Sequence, residues 1–221
     1  MQDSRQALRQ SFIDKYNYTT SLPNVHLNFN AVGEDEVHPF EQIYFHGIIK
    51  HLTSWSSFED HTFYLIGSNS PWDYQFDDRS IVFYLSNEDH VVPAEVCKAK
   101  AVFTPYLPSN ASPHIFPIPL GYNGSVPQLE VKPILERTID IFFSGNLHKR
   151  RFPFFLGVKK YQFAQAFRSQ KDNTKLQFNG SFAGGFDPMD YARMMMDTKI
   201  ALVPEGYLSN NSFRFFEAAR S

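Results

Sequence analysis

The chain has 221 residues, of which 43% are hydrophobic, 16% aromatic and 20% charged, with a formal net charge of −2. That supplies enough apolar material for one large or two small domains, and the near-neutral balance argues against nucleic acid or a membrane surface as a broad partner. The lone Cys97 excludes an internal disulfide and a zinc–thiolate cluster, so it reads as a small buried hydrophobe.

Met1 to Gln10 is polar and lacks the apolar centre of a signal peptide, and no apolar run approaches the length of a bilayer. As written, the chain is expected to be soluble and cytoplasmic, with no membrane segment. Acceptor triplets for N-glycosylation at Asn17, Asn110, Asn123, Asn179 and Asn210 acquire meaning only in a lumenal fragment. Gln2 to Lys15 places Ala7, Leu8, Phe12 and Ile13 at helical spacing, and Val25 to Val32 alternates like a half-buried strand. A helix is predicted over Glu41 to Trp55, and strands over Thr62 to Gly67 and Ser80 to Leu85. Between those strands, Ser68 to Arg79 reads as a polar loop around Pro71. A short helix over Ala94 to Ala99 and strands over Lys100 to Thr104 and His114 to Ile118 complete the first half.

Gly121 to Glu136 has the glycine and proline content of a linker. The domains are therefore set at 1–125 and 126–221. The second half repeats the alternation. A strand over Thr138 to Ser144 is followed by a helical stretch through Phe163, Ala166 and Phe167, then a strand over Lys175 to Phe178. A helix opens at Asp187 with Pro188 in its first position, and its Tyr191, Met194 and Met195 are expected to face the core. Lys199 to Val203 reads as a buried strand leading to the Pro204-Glu205-Gly206 turn, a polar loop, and a helix capped by Ser212. Alternating strands and helices imply α/β architecture with mostly parallel sheets covered on both faces.

Three stretches carry candidate chemistry. Gly145-Asn146-Leu147-His148-Lys149-Arg150-Arg151 joins a strand to a helix and concentrates Lys149, Arg150 and Arg151 where backbone N–H groups favour an anion. Asn179 to Gly185 is a glycine-rich loop that a nucleobase or sugar could approach closely. Glu88, Asp89 and His90 follow an apolar strand and are candidates for a general base. His46 is a weaker base candidate, and His38, His51 and His61 share no metal-ligand spacing with carboxylates. Trp72, in a loop, is a candidate platform for a sugar, with Trp55 second.

Pro204-Glu205-Gly206 followed by Ser212-Phe213-Arg214-Phe215-Phe216-Glu217-Ala218 resembles the donor-site motif of exostosin-like glycosyltransferases. Ile118 to Tyr122 also resembles sequences of that group. The resemblance implies that Glu217 holds the ribose of a nucleotide sugar. It places Arg214 and the loop of Glu205, Gly206 and Ser212 near the diphosphate, with Gly145, Asn146, Lys149, Arg150 and Arg151 alongside. It further implies two Rossmann-like lobes of GT-B type, the second incomplete because the family continues past the equivalent of Ser221. Glu205 departs from the pattern, since many members carry a basic residue there. The expected activity is inverting sugar transfer from a nucleotide-sugar donor, a UDP-sugar, to a glycan or glycoconjugate hydroxyl. With no Asp-x-Asp triplet and with cations at hand, the reaction is expected to be metal-independent, with no cofactor beyond the co-substrate. The competing expectation is a non-catalytic carbohydrate- or nucleotide-binding protein with the same lobes. The glycosylation triplets leave open a lumenal fragment of a Golgi-type membrane protein.

Overall fold

A computed structural model of the chain describes residues 24–28, 42–68, 72–123, 126–168, 172–180, 185–206 and 212–221. The predicted helix at 2–15, the 29–32 end of the first predicted strand, His38, the His46 side chain, 181–184 of the glycine-rich loop and 207–211 lie outside what it describes. The chain divides into two compact units, Met1–Gly124 and Ser125–Ser221, each built on a parallel sheet.

The first unit contains β1 (Val25–Asn28), α1 (Gln42–Leu52), β2 (Thr62–Gly67), β3 (Ser80–Leu85), β4 (Ala101–Thr104) and β5 (Ile115–Pro117). All five strands pair in parallel, in the order of the sequence. Every residue of β3 is buried, as expected of a central parallel strand covered on both faces. Its alternate residues serve two cores. Ile81, Phe83 and Leu85 join Phe63 and Leu65 beneath Phe45 and Ile49 of α1. Val82 and Tyr84 join Tyr64, Ile66 and Val102 on the other face.

That second face is covered by Trp72, Tyr74 and Phe76 with Val96, Cys97 and Ala99 rather than by a long helix. The predicted polar loop therefore delivers three aromatic rings to the core. Phe76 meets Tyr64 edge-on at 5.0 Å and Trp72 at 5.5 Å. Trp72 is half-buried and packs against this core. The predicted short helix at Ala94–Ala99 is a 3-10 turn over Val96–Lys98.

The second unit contains β6 (Ile139–Asn146), α2 (Phe152–Ala166), β7 (Thr174–Asn179), α3 (Pro188–Met196), β8 (Thr198–Ala201) and α4 (Phe213–Ala219). Its parallel sheet has the order β7-β6-β8, with β6 in the centre. Phe142 and Phe143 on β6 are both buried. Phe142 packs towards Phe186, Tyr191 and Met195, and Phe143 towards Phe154 and Phe178. The expected start of α3 is present, with the Asp187 carboxylate accepting the Met189 N–H at 3.0 Å. The expected buried strand at Lys199–Val203 is corrected. β8 is an edge strand whose Lys199 and Ile200 are exposed, because no described strand lies beyond it.

Two polar ties fasten the amino ends of these strands. Arg137 donates to the carbonyls of Lys132, Thr198 and Ser221 at 2.8–2.9 Å. Asp197, in the turn between α3 and β8, accepts from Lys132 Nζ at 2.7 Å, from Thr138 Oγ1 at 2.5 Å and from the Thr138 N–H at 3.2 Å. Hydrogen bonds from Lys132 and then Thr138 lower the Asp197 carboxyl from 3.8 to about 2. Because the folded value lies below the ordinary one, this contribution is present above roughly pH 4 and lost as pH falls towards 2. Urea titrations of wild type and Asp197→Asn are expected to differ most at neutral pH and to converge at the acid end of that window.

Candidate functional site

The strand order of the second unit sets where a site can form. From β6 the chain passes through α2 to β7 on one side, then through α3 to β8 on the other side of β6. The chain therefore crosses β6 to reach β8, a reversal of strand order, and the carboxyl ends of strands at such a reversal are the preferred ligand position in open α/β sheets. In the first unit the described strands follow sequence order, with no such reversal.

Gly145 and Asn146 end β6, in register with Phe178 and Asn179 of β7. The chain then turns through a 3-10 segment, Lys149–Arg151, into α2. Lys149 and Arg150 are exposed, whereas Arg151 turns inward and is buried. Its Nε–H donates to the Glu205 carbonyl at 2.8 Å and its Nη1 to the Asn146 carbonyl at 3.0 Å. One guanidinium thus ties the end of β6 to the Pro204-Glu205-Gly206 turn. Burial, with repulsion from Arg214, lowers it to about 10, so it stays charged at neutral pH.

The start of α4 brings in the second guanidinium. The Ser212 hydroxyl caps the helix by accepting the Arg214 N–H at 3.3 Å. Arg214 Nε–H donates to the Ser144 carbonyl at 2.7 Å, and its guanidinium carbon lies 5.6 Å from the centre of the Phe143 ring. It rests directly on Gly145, where a Cβ would stand 2.5 Å from Nη2 and 2.7 Å from Cζ. A side chain at 145 would displace the Arg214 guanidinium from this position.

One turn further, Glu217 is 8% exposed, and its Oε2 accepts the Tyr191 hydroxyl at 2.9 Å. Burial, then the charge of Glu217, pushes the Tyr191 phenol well above its ordinary value, while Arg214 acts in the opposite sense. Tyr191 therefore does more than the core packing expected of it. Arg151, Arg214, Tyr191 and Glu217 form one electrostatically connected group. His148 borders its cationic side, where burial and then Arg151, Arg150 and Arg214 lower its imidazole and favour the neutral form. Asn146 Oδ1 is buried there without a hydrogen-bond partner in the protein.

Glu217 also lines a small cleft with Val126–Gln128, Met195 and Arg220, whose volume of about 10 Å³ is on the scale of a single water. The structure thus brings together Gly145, Asn146, Arg151, Gly206, Ser212, Arg214 and Glu217. It leaves Lys149, Arg150 and the Glu205 side chain on the surface of the same unit.

The base candidates lie beyond the carboxyl end of β3 in the first unit. Their loop is held by Asn87, fully buried, which donates to the Tyr106 carbonyl at 2.7 Å and accepts the Thr104 hydroxyl at 2.5 Å. Sequence reasoning passed over Asn87, although a polar side chain directly after an apolar strand is a signal for such an anchor. The Asp89 carboxylate accepts the Val91 N–H at 3.1 Å, a turn-forming role. Glu88 is exposed, yet neighbouring protein removes part of the hydration of its carboxyl and raises it. His90 adopts a left-handed backbone (φ 61°) and places Nδ1 3.2 Å from the Leu107 carbonyl. A carbonyl only accepts, so Nδ1 carries the hydrogen, and in the neutral ring Nε2 keeps its lone pair. Among the described residues no group of His, Cys, Asp and Glu is arranged to hold a metal ion, and no helix is long and apolar enough to cross a membrane.

Comparisons of the chain with protein-family models, with curated proteins and with solved structures return no match.

Two substitutions separate the inward from the outward cations. Arg151→Ala leaves two carbonyls without their donor and is expected to cost about 3 kcal/mol in urea unfolding, whereas exposed Arg150→Ala is expected to stay within about 0.5 kcal/mol.

Proposed function

We propose that the chain is a nucleotide-sugar-dependent glycosyltransferase of the exostosin type, with the second unit binding the donor. What supports this most is that the Arg214–Tyr191–Glu217 group and the Lys149–Arg151 turn meet at the carboxyl ends of β6 and β8, where the strand order reverses. The motif by which the chain resembles that family contributes Ser212, Arg214 and Glu217 to this one place. On this reading the two units are the acceptor-side and donor-side lobes of a GT-B enzyme.

Glu217 would accept hydrogen bonds from the ribose hydroxyls of a UDP-sugar. Its carboxylate is held in place by the Tyr191 hydroxyl. Lys149, Arg150 and the guanidinium of Arg214 would face the diphosphate, whose bridging oxygen gains charge as the bond to the sugar breaks. Arg151 positions the turn and does not itself face the ligand, since its guanidinium is buried and donates to the Glu205 and Asn146 carbonyls.

In the transfer step an acceptor hydroxyl attacks the anomeric carbon from the side opposite the diphosphate. The carbon–oxygen bond to the leaving group breaks, UDP departs with the bonding electrons, and the hydroxyl proton passes to a base. Inversion follows from the single displacement. His90 is assigned that base because its Nδ1–H points to Leu107 and leaves Nε2 to take a proton. A glycan or glycoconjugate supplies the hydroxyl.

Calorimetry with UDP tests the binding half of this reading. Glu217→Ala is expected to weaken UDP by about tenfold or more, the scale of charge-assisted hydrogen bonds; equal affinity removes the ribose assignment. Arg150→Ala is expected to weaken UDP while leaving uridine unchanged. Release of UDP from a UDP-sugar in the presence of a glycan separates a transferase from a protein that only binds. His90→Gln is expected to lower that rate by about 10²–10⁴ with UDP affinity retained. If Glu88→Gln does so instead, the base is Glu88.

A further inference from the structure

The sequence of α2, FPFFLGVKKYQFAQA, is apolar on two sides. Its inner side is accounted for: Phe154 and Phe155 pack on Phe178, and Val158 is buried. Its outer side is not. Phe152 is 51% exposed, Leu156 45%, Phe163 70%, and Phe167 at the helix end 76%. At about 100° per residue these four positions fall within roughly 60° of one another, so they form one stripe. Phe163 and Phe167 confirm the alignment, with ring centroids 5.0 Å apart.

The charges around the stripe have one sign. On the same helical wheel Lys159 borders it on one side and Lys160 on the other, and both are exposed, as is Arg168 just beyond. No Asp or Glu occurs between Lys149 and Arg168, in a chain whose net charge is −2. The nearest described acid, Asp172, is bound by the Tyr161 hydroxyl and by Gln165 Nε2, on the opposite side of the helix. Exposed phenylalanines aligned on a helix face, flanked by lysines with long aliphatic stems, match an interfacial helix. The rings enter the acyl boundary and the ammonium groups reach lipid phosphates.

We propose that the outer face of α2 docks the protein on an anionic membrane surface, with Phe152, Leu156, Phe163 and Phe167 inserted and Lys159, Lys160 and Arg168 at the headgroups. The helix lies in the interface; with 15 residues it does not span the bilayer. This docking is independent of the transfer reaction and stands or falls without it. Charge complementarity selects lipid over a second copy of the chain, since two copies of this face would oppose lysine to lysine.

The test is flotation of the full chain with vesicles of phosphatidylcholine alone or mixed with phosphatidylserine. Binding to the mixed vesicles is expected to weaken as salt rises. Phe163→Gln with Phe167→Gln, and separately Lys159→Glu with Lys160→Glu, are each expected to reduce it by about tenfold or more. The exposed control Lys175→Glu is expected to have a much smaller effect. Circular dichroism melting establishes that each variant is folded, and the lysine pair, wholly at the surface, guards against an unstable phenylalanine variant. Failure of the wild type to float with anionic vesicles overturns the proposal, as does a loss with Lys175→Glu equal to that of the α2 variants. Concentration-dependent self-association that Phe163→Gln removes, without vesicle binding, assigns the face to a second copy and overturns it as well.

Discussion

The reversal of strand order at β6 is the constraint from which the second unit's chemistry follows. A strand whose neighbours are reached in opposite directions marks the place in an open sheet where a crevice forms at the carboxyl ends, and backbone groups there lose the partners a continuing sheet would provide. The carbonyls of Ser144, Asn146 and Glu205 lie there, and arginine side chains satisfy them: Arg214 for the first, Arg151 for the other two. A planar guanidinium offers several donors in fixed directions, so one Arg151 joins two loops where lysine would supply a single flexible point charge. The fold's solution to unsatisfied carbonyls thereby brings positive charge to the mouth of the gap. Structure and candidate binding chemistry share a cause.

Charge brought in this way has to be balanced nearby. Arg151 and Arg214 repel one another, which contributes to lowering the Arg151 guanidinium. Glu217 supplies an adjacent carboxylate, and Tyr191 donates to it, so a buried negative charge is both hydrogen-bonded and offset by cations. Gly145 completes the arrangement by having no side chain where Arg214 lies. Among the described residues, the first unit carries no comparable group at its strand ends. Its strands run in sequence order, and the polar end of β3 is organised by the neutral, buried Asn87 instead. The two units are alike in class and unlike in electrostatics.

Features set by local chemistry were legible in the sequence. Thr62–Gly67 and Ser80–Leu85 are strands because short runs of β-branched and aromatic residues end on polar turns. Asp187 and Ser212 are caps because their side chains reach N–H groups two residues on. Features set by sheet order were not. Lys199–Val203 has a strand's composition wherever it lies, and only the position of β8 at the sheet edge exposes Ile200. Trp72 sits in a polar stretch, so nothing local distinguishes a ring covering the sheet from one facing a sugar. Of three consecutive cations, it is Arg151 that turns inward, because the turn into α2 orients it towards two carbonyls far away in sequence. The family resemblance located Ser212, Arg214 and Glu217 but carried no information about Tyr191.

Net charge was the least informative of the global quantities. A balance of −2 argued against membrane surfaces, yet positions 149–168 hold six cations and no carboxylate. Averaging over the chain hides this segregation; the helix separates it again. Arg151 faces the interior, Lys149 and Arg150 lie at the strand ends, and Lys159 and Lys160 point outward from the middle of α2. Arg150 and Lys160 are roughly 15 Å apart along the helix axis at 1.5 Å per residue. That exceeds the Debye length of about 8 Å at physiological ionic strength. The two basic groups therefore have little electrostatic influence on one another, and a stretch that reads as one basic segment presents two separate surfaces.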